Sequence, residues 1–138
     1  MSDINEILPE LLPINILLTT YNRINFLKKT IEVINERTSY PFRLFIIDSA
    51  SNDGTVEYLK NVKVLGKVYE NLLLSENKGQ SEALNRGFAL MQSLKKIKSD
   101  ELFVTTNDDL LPPFLTPCWL EIMRDLFLRY ESSHEVGA

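Results

Sequence analysis

Cysteine and histidine are almost absent from this sequence, which has one of each among its 138 residues. Cys118 therefore cannot form an internal disulfide, and no cluster of cysteines and histidines has the spacing of a zinc site. This usage is typical of a cytosolic or cytosol-facing protein, so we predict a cytoplasmic localisation. We expect Cys118 to pack in the core.

Basic residues are in the minority, because 15 Lys and Arg stand against 19 Asp and Glu. The net charge is -4 and the pI is near 5.0. A general nucleic-acid surface requires clustered basic residues that displace phosphate counterions, so we expect no nucleic-acid partner. A ligand that carries phosphate must instead be held by a local site.

Long apolar runs are missing, since no stretch approaches the roughly 20 apolar residues of a membrane span. Residues 1–13 contain three acids and two prolines, and they lack the basic start and apolar centre of a signal peptide. We predict a lead-in segment over residues 1–13 and one domain over residues 14–138. Peripheral association with a membrane through another segment stays open.

The composition that is present, 44% hydrophobic and 25% charged, favours one globular domain with a sizeable core. Apolar or β-branched runs predict strands at residues 14–20, 42–47 and 71–74, and in the first part of 101–113. Apolar residues at helical spacing predict helices after each strand, around Ile31, Leu59, Leu84 and Met123.

Two helix starts have their own signals in the sequence. Asp53 is expected to cap the second helix, and Thr116 and Pro117 are expected to be the N-cap and first residue of the last helix. Because strands alternate with helices, we predict right-handed βαβ units. The fold class is therefore α/β, with a mostly parallel sheet flanked by helices on both faces.

The segment 101–113 is the most informative one, because its apolar and β-branched run leads directly into Asp108 and Asp109. Adjacent carboxylates repel each other and raise each other's pKa, so this arrangement is unfavourable unless a cation lies nearby. An isolated Asp-Asp pair is also common in solvated turns. Its position after a predicted strand is what favours a functional role here.

Polar segments follow three of the predicted strands, at residues 20–23, 48–53 and 107–109. Ligands of open α/β sheets bind beyond the carboxyl ends of strands, so we expect these segments at one edge of the sheet. There Asp48 can accept an N–H from uracil, thymine or guanine, whereas cytosine offers none at that position. Asp109, helped by Asp108, can hold magnesium or manganese together with diphosphate oxygens and water.

Other nucleotide and phosphate enzymes fit the sequence poorly. The first strand is followed neither by the Gly-x-Gly-x-x-Gly pattern of dinucleotide-binding domains nor by a P-loop. An enzyme with an aspartyl nucleophile would require an Asp at the end of the first strand, where this chain has Thr19 and Thr20.

Taken together, these segments resemble the inverting family-two glycosyltransferases of the GT-A fold. Residues 20–23 resemble the family's first nucleotide-contacting loop, and residues 47–55 resemble the segment that carries its base-reading acid. Residues 77–79 and 83–87 are similar to its two Asn-x-Gly signatures, and residues 107–109 stand where its Asp-x-Asp metal motif belongs. Ser49 and Asn107 replace acids that are common in the family.

The resemblance implies the N-terminal, nucleotide-sugar-binding portion of a GT-A domain over residues 14–138. It implies transfer of a sugar, with inversion, from a nucleotide-diphosphate sugar to an acceptor hydroxyl, with a uridine diphosphate sugar favoured and magnesium or manganese as cofactor. The implied metal ligands are Asp109 and Asp108. The implied nucleotide-binding residues are Thr20, Tyr21, Asn22, Arg23, Asp48, Asn77, Gly79 and Asp108.

Several of these positions have a second interpretation. Tyr21 either stacks on a base or packs in the core. Arg23 and Arg86 either contact phosphate or are surface charges. Gly79 either belongs to the site or serves only a tight turn.

The resemblance also implies that the catalytic base and the acceptor site lie beyond residue 138, so no base is assigned. The acids Glu121, Glu131 and Glu135 are expected on the solvated surface. A second hypothesis is therefore a non-catalytic or partner-completed nucleotide-sugar-binding module. An open sheet edge and an uncovered helix would then favour a homo-oligomer or a partner chain.

Overall fold

The computed structural model of the protein describes residues 12–97 and 101–133. The predicted lead-in over residues 1–13 lies outside this part apart from residues 12 and 13. Glu135 and the side chain of Glu131 also lie outside it. Among the described residues, no helix has both the length and the apolar character needed to cross a bilayer.

Strands and helices alternate through the described ranges, which confirms the predicted α/β class. The strands are β1 (Ile14–Thr20), β2 (Phe42–Asp48), β3 (Glu70–Leu73) and β4 (Phe103–Asn107). The helices are α1 (Ile24–Arg37), α2 (Thr55–Val64), α3 (Gln80–Ser93) and α4 (Trp119–Ser133).

The four strands form one sheet in the order β3-β2-β1-β4, and all three pairings are parallel. The chain therefore moves outward from β1 to β3 and then returns to place β4 on the other side of β1. This reversal creates a topological switch point between β1 and β4, where ligands of such sheets bind. The register aligns the carboxyl ends, since Thr20 pairs with Asp48 and Thr19 with Asn107.

The central strand β1 is buried along its whole length and separates two apolar clusters. Ile16 and Leu18 point to the face covered by α1 and α2, whereas Leu17 points to the face covered by α3. Alternate residues of a strand lie on opposite faces, which explains this division. Helices thus cover both faces, as predicted, and buried Cys118 joins the first cluster as expected.

Strand β4 forms one edge of the described sheet, and its residues are less buried than those of β1. Helix α4 follows it in the chain and exposes large apolar side chains. Met123, Leu126 and Phe127 are 47%, 57% and 46% exposed, respectively. An edge strand next to an apolar helix face is the kind of surface that other chains can cover.

The predicted start of the last helix is wrong, because α4 begins at Trp119 and leaves Thr116 and Pro117 in the preceding loop. The backbone carbonyl of Cys118 accepts the first helical hydrogen bond, from the amide of Ile122 at 3.1 Å. The Cys118 thiol also accepts a hydrogen bond from the Tyr40 amide at 3.4 Å. Tertiary contacts of Cys118 thus set the start of the helix.

Asp53 joins the starts of two helices, which is more than the single cap that the sequence predicts. Its carboxylate accepts the amide hydrogens of Ile24, the first residue of α1, at 3.0 Å and of Thr55, the first residue of α2, at 3.2 Å. The residues before these helices, Arg23 and Gly54, give no side-chain cap. Burial acts to raise the pKa of Asp53, but hydrogen bonds from Thr55 and Ile24 lower it below 3.8.

Replacement of this shared cap should destabilise the fold. We expect Asp53→Ala to lower the free energy of unfolding by about 1–2 kcal/mol near pH 7, because one carboxylate serves two helix starts. Chemical denaturation measures the loss, with Asp125→Ala on the surface of α4 as the control.

The same substitution should change the pH dependence. The folded-state pKa of Asp53 lies below its unfolded value, so its contribution is complete above pH 3.8 and disappears as the pH falls through the folded pKa. The stability difference between wild type and Asp53→Ala should therefore shrink below pH 3.8. A difference that stays constant down to pH 2 would contradict this assignment.

Gly87 should resist substitution because α3 approaches the sheet closely there. A Cβ atom at Gly87 would lie 2.7 Å from Cδ1 of Ile47 and 2.9 Å from Cδ1 of Leu17, both fully enclosed in the core. We expect Gly87→Ala to lower the free energy of unfolding by about 1 kcal/mol or more, since overpacking outweighs the helix propensity gained. Asn85→Ala, on the exposed side of α3, should leave stability unchanged or slightly higher. Equal changes in the free energy of unfolding for Gly87→Ala and Asn85→Ala would refute the close approach of α3 to the sheet at Gly87.

Candidate functional site

A pocket of about 400 Å³ opens beyond the carboxyl ends of β1 and β4, at the switch point of the sheet. Its size is in the range of small-molecule sites. The lining residues come from the ends of β1 and β4, from the loops after β1, β2 and β4, and from the segment that leads into α3 and the first residue of that helix. They are Thr19, Thr20, Tyr21, Arg23, Ser49, Asn77, Gly79, Gln80, Asn107, Asp108 and Asp109.

Asp108 lies at the base of this pocket and is held from two sides. The Thr20 hydroxyl donates to its carboxylate at 2.9 Å, and the Thr30 hydroxyl of α1 donates to its backbone carbonyl at 2.6 Å. Burial raises the pKa of Asp108, and the negative charge of Asp109 acts in the same direction, against Thr20 and Arg23. Its carboxyl group is therefore held in position, and the nearby positive charge does not fully compensate its burial.

Arg23 supplies the cation that the acid pair requires. Its Nε lies 3.6 Å from Oδ1 of Asp108, and one terminal nitrogen lies 3.4 Å from Oδ2 of Asp109. The guanidinium also stacks on the Phe26 ring, 4.4 Å from its centroid. The sequence left Arg23 open between a phosphate ligand and a surface charge, and it did not indicate this ion pairing. Arg86 instead lies outside the pocket lining, 3.9 Å from Glu82 on α3.

The donor set limits the kind of metal that the pocket can hold. In the described ranges, no group of three or more His, Cys, Asp or Glu residues could hold a metal ion. Asp108 and Asp109 offer carboxylate oxygens from one turn, which fits a magnesium-type ion because such ions commonly use one or two carboxylates plus ligand phosphates and water. The residues therefore fit a divalent cation that arrives with a phosphate ligand, and they do not form an all-protein metal centre.

Asp48 is the last residue of β2, one residue beyond the predicted end of that strand, and it is fully buried and does not line the pocket. The Ser51 amide donates to one of its carboxylate oxygens at 3.0 Å, and the Ser51 hydroxyl donates to the other. The neighbouring residue Ser49 lines the pocket instead. Asp48 thus stands next to the site, closed off by its own loop.

Asn22 links the loops after β1 and β2 and is also absent from the pocket lining. Its amide donates to the Ser51 hydroxyl at 2.7 Å, and its side-chain oxygen accepts the Asn52 amide at 2.7 Å. A positive φ of 48° allows this geometry, which Asn tolerates better than most residues. Asn22 thus holds the two loops together, while Tyr21 is 46% exposed and lines the pocket rather than the core.

The start of α3 forms the opposite wall of the pocket. The side-chain oxygen of Asn77 accepts the Gly79 amide at 3.0 Å, and Gly79 has a positive φ of 94°. The Gln80 side chain donates to the Asn107 side-chain oxygen at 2.8 Å and so links α3 to the end of β4. Gln80 and Thr19 were missed from the sequence, and the only signal that marks them is that each adjoins a predicted site residue. Ser49 and Asn107 also line the pocket; the family resemblance marked their positions but did not assign them to the site.

Comparisons with solved structures agree with this fold. The mannosyltransferase PcManGT from Pyrobaculum calidifontis, in complex with GDP-Man and Mn2+, is 24% identical over 72% of this chain, with a TM-score of 0.58. S. aureus TarS 1-349 in complex with UDP is 16% identical over 88% of this chain, with a TM-score of 0.62. This chain covers only 28% and 33% of those two chains.

Sequence comparisons identify the family. No curated protein matches the sequence. The model of glycosyl transferase family 2, however, matches residues 15–136 and so includes all four strands, the pocket and the acid pair. This chain therefore belongs to glycosyl transferase family 2.

Proposed function

We propose that this chain binds the nucleotide-sugar donor of a metal-assisted, inverting glycosyltransferase, which transfers the sugar to an acceptor hydroxyl. The observation that carries the proposal is the acid pair Asp108–Asp109, placed in a pocket at the switch point of a parallel sheet. Membership of family 2 and the likeness to chains solved with GDP-Man, UDP and UDP-GlcNAc support a donor of this class.

The diphosphate of the donor would lie next to Asp109, whose side chain is 42% exposed and accessible from the pocket. Asp109 and Asp108 would hold magnesium or manganese, and the metal would neutralise the charge of the leaving diphosphate. Gly79 and Gln80 face this position from α3, and the backbone at Gly79 approaches without a side chain. The four residues together would hold the charged end of the donor.

The base of the donor would lie near Tyr21 and Asp48. Tyr21 is exposed at the pocket and can stack on the base. Asp48 can accept the N3–H of uracil once the Ser51 side chain turns away from it. This proposal favours a uridine diphosphate sugar, although guanine and thymine present an equivalent N–H.

The catalytic base is not assigned, since Glu121 lies on α4 and does not line the pocket. A second candidate function is a donor-binding module completed by a partner chain or a second copy. The exposed apolar side chains of α4 beside the edge strand β4 favour it. Turnover of a nucleotide sugar by the purified chain, under conditions where it is monomeric, would exclude this alternative.

Calorimetric titration with uridine diphosphate, with and without Mn2+, tests the donor site. We expect metal-dependent binding, and we expect Asp109→Asn to weaken it at least about tenfold because a charged metal ligand is lost. Asp125→Asn removes an exposed acid of α4 that pairs with Arg124, and it should bind like wild type. If the chain binds none of the three nucleotides, uridine, thymidine and guanosine diphosphate, the proposed donor site is refuted.

Base selectivity tests the role of Asp48. Wild type should bind uridine diphosphate more tightly than cytidine diphosphate, because cytosine has no N3–H to donate. Asp48→Asn should reduce this preference several-fold, while its melting temperature reports any damage to the buried loop. An unchanged preference in a folded Asp48→Asn variant would exclude Asp48 as the base-reading acid.

A further inference from the structure

Arg23 is in contact with both of the carboxylates that would hold a divalent cation. The guanidinium lies within 3.6 Å of Asp108 and 3.4 Å of Asp109. A metal bound to these oxygens at about 2.0–2.6 Å would come close to the guanidinium. Two cations at such short range repel each other strongly, so Arg23 and a metal exclude each other from the acid pair.

The contacts of Arg23 are loose enough to be exchanged. Both nitrogen–oxygen distances exceed the roughly 2.7–2.9 Å of a strong charge-assisted hydrogen bond. The Arg23–Asp109 pair joins side chains that are 43% and 42% exposed, and ion pairs at such exposed positions contribute little stability. Release of Arg23 from Asp109 therefore requires little free energy, whereas the buried Asp108 carboxylate needs the incoming metal in place of Arg23.

Asp108 does not depend on Arg23 for its position. Thr20 holds its carboxylate and Thr30 holds its backbone carbonyl, both through hydrogen bonds that Arg23 does not share. The Asp108 carboxylate would thus stay in place after Arg23 leaves. Phe26 contacts the guanidinium, and Arg23 itself lines the pocket, so the released side chain remains beside the space that a phosphate would fill.

We infer that Arg23 is the resident counter-ion of the acid pair, and that it leaves the carboxylates for the diphosphate when metal and donor bind. This inference rests on the proposed donor site and adds a role for one residue. Arg23 opposes binding of the metal alone, since the metal must displace it. A diphosphate offers the displaced guanidinium a new partner, so metal and nucleotide bind cooperatively.

Binding of Mn2+ without nucleotide, followed through the electron paramagnetic resonance signal of free Mn2+, tests the exclusion. Arg23→Gln should bind Mn2+ about threefold to tenfold more tightly than wild type, because two ion pairs no longer compete. Arg23→Lys keeps the charge but lacks the planar guanidinium, so its Mn2+ affinity should lie between those of wild type and Arg23→Gln. Arg86→Gln removes an equal charge outside the pocket and should match wild type.

The outcomes of this measurement are distinct. Equal Mn2+ affinities of wild type and Arg23→Gln, or no Mn2+ binding by either, would overturn the inference. Tighter Mn2+ binding by Arg86→Gln than by wild type would also overturn it, because the change in net charge would then explain the effect. Tighter binding by Arg23→Gln alone supports it.

The cooperativity is measured by repeating the titration with uridine diphosphate present. The nucleotide should increase the Mn2+ affinity of wild type by a larger factor than that of Arg23→Gln, and an equal factor in both would overturn the transfer of Arg23 to the phosphate. Absence of nucleotide binding by wild type would instead refute the proposed donor site. The Mn2+ titration without nucleotide would still decide whether Arg23 competes for the acid pair.

Discussion

The burial of the Asp108 carboxylate, next to the second negative charge of Asp109, is the constraint on which the neighbouring contacts act. Two carboxylates at one turn, one of them buried, are unfavourable without hydrogen bonds and positive charge. Thr20 donates a hydrogen bond to the Asp108 carboxylate, Thr30 donates one to the Asp108 backbone carbonyl, and Arg23 provides the charge. The hydrogen bonds fix the position of Asp108, whereas the half-exposed Arg23 is the partner that we infer to be exchangeable. The turn is therefore stabilised when no ligand is bound, and its carboxylates would still be able to bind a ligand.

The order of the strands decides which loops can act together. Because β4 returns to the side of β1 opposite β2, the loop after β1 lies between the loops after β2 and β4. Thr20 consequently pairs with Asp48 in the register of the sheet and donates its hydroxyl to Asp108. One strand end thus connects the proposed base-reading acid to the acid pair.

In the loop after β2, contacts that stabilise the fold also restrict access to Asp48. Asp53 holds this loop against the starts of α1 and α2, and Asn22 holds it against the loop after β1. The same arrangement lets Ser51 close over Asp48. Reading of a base by Asp48 therefore requires a local rearrangement of Ser51, while the Asp53 links can stay intact.

The sequence by itself determined the strands, the helices, the parallel sheet and the acid pair, because hydrophobic periodicity and strand-end polarity are local properties. The position of most site residues at one sheet edge also followed from the alternation of elements. Only the tertiary structure decided the strand order, the burial of Asp48, the contact of Gln80 with Asn107 and the pairing of Arg23 with the acids. All of these except the burial of Asp48, which its own loop closes off, join residues distant in sequence, and local patterns carry no information about which distant residues pack together.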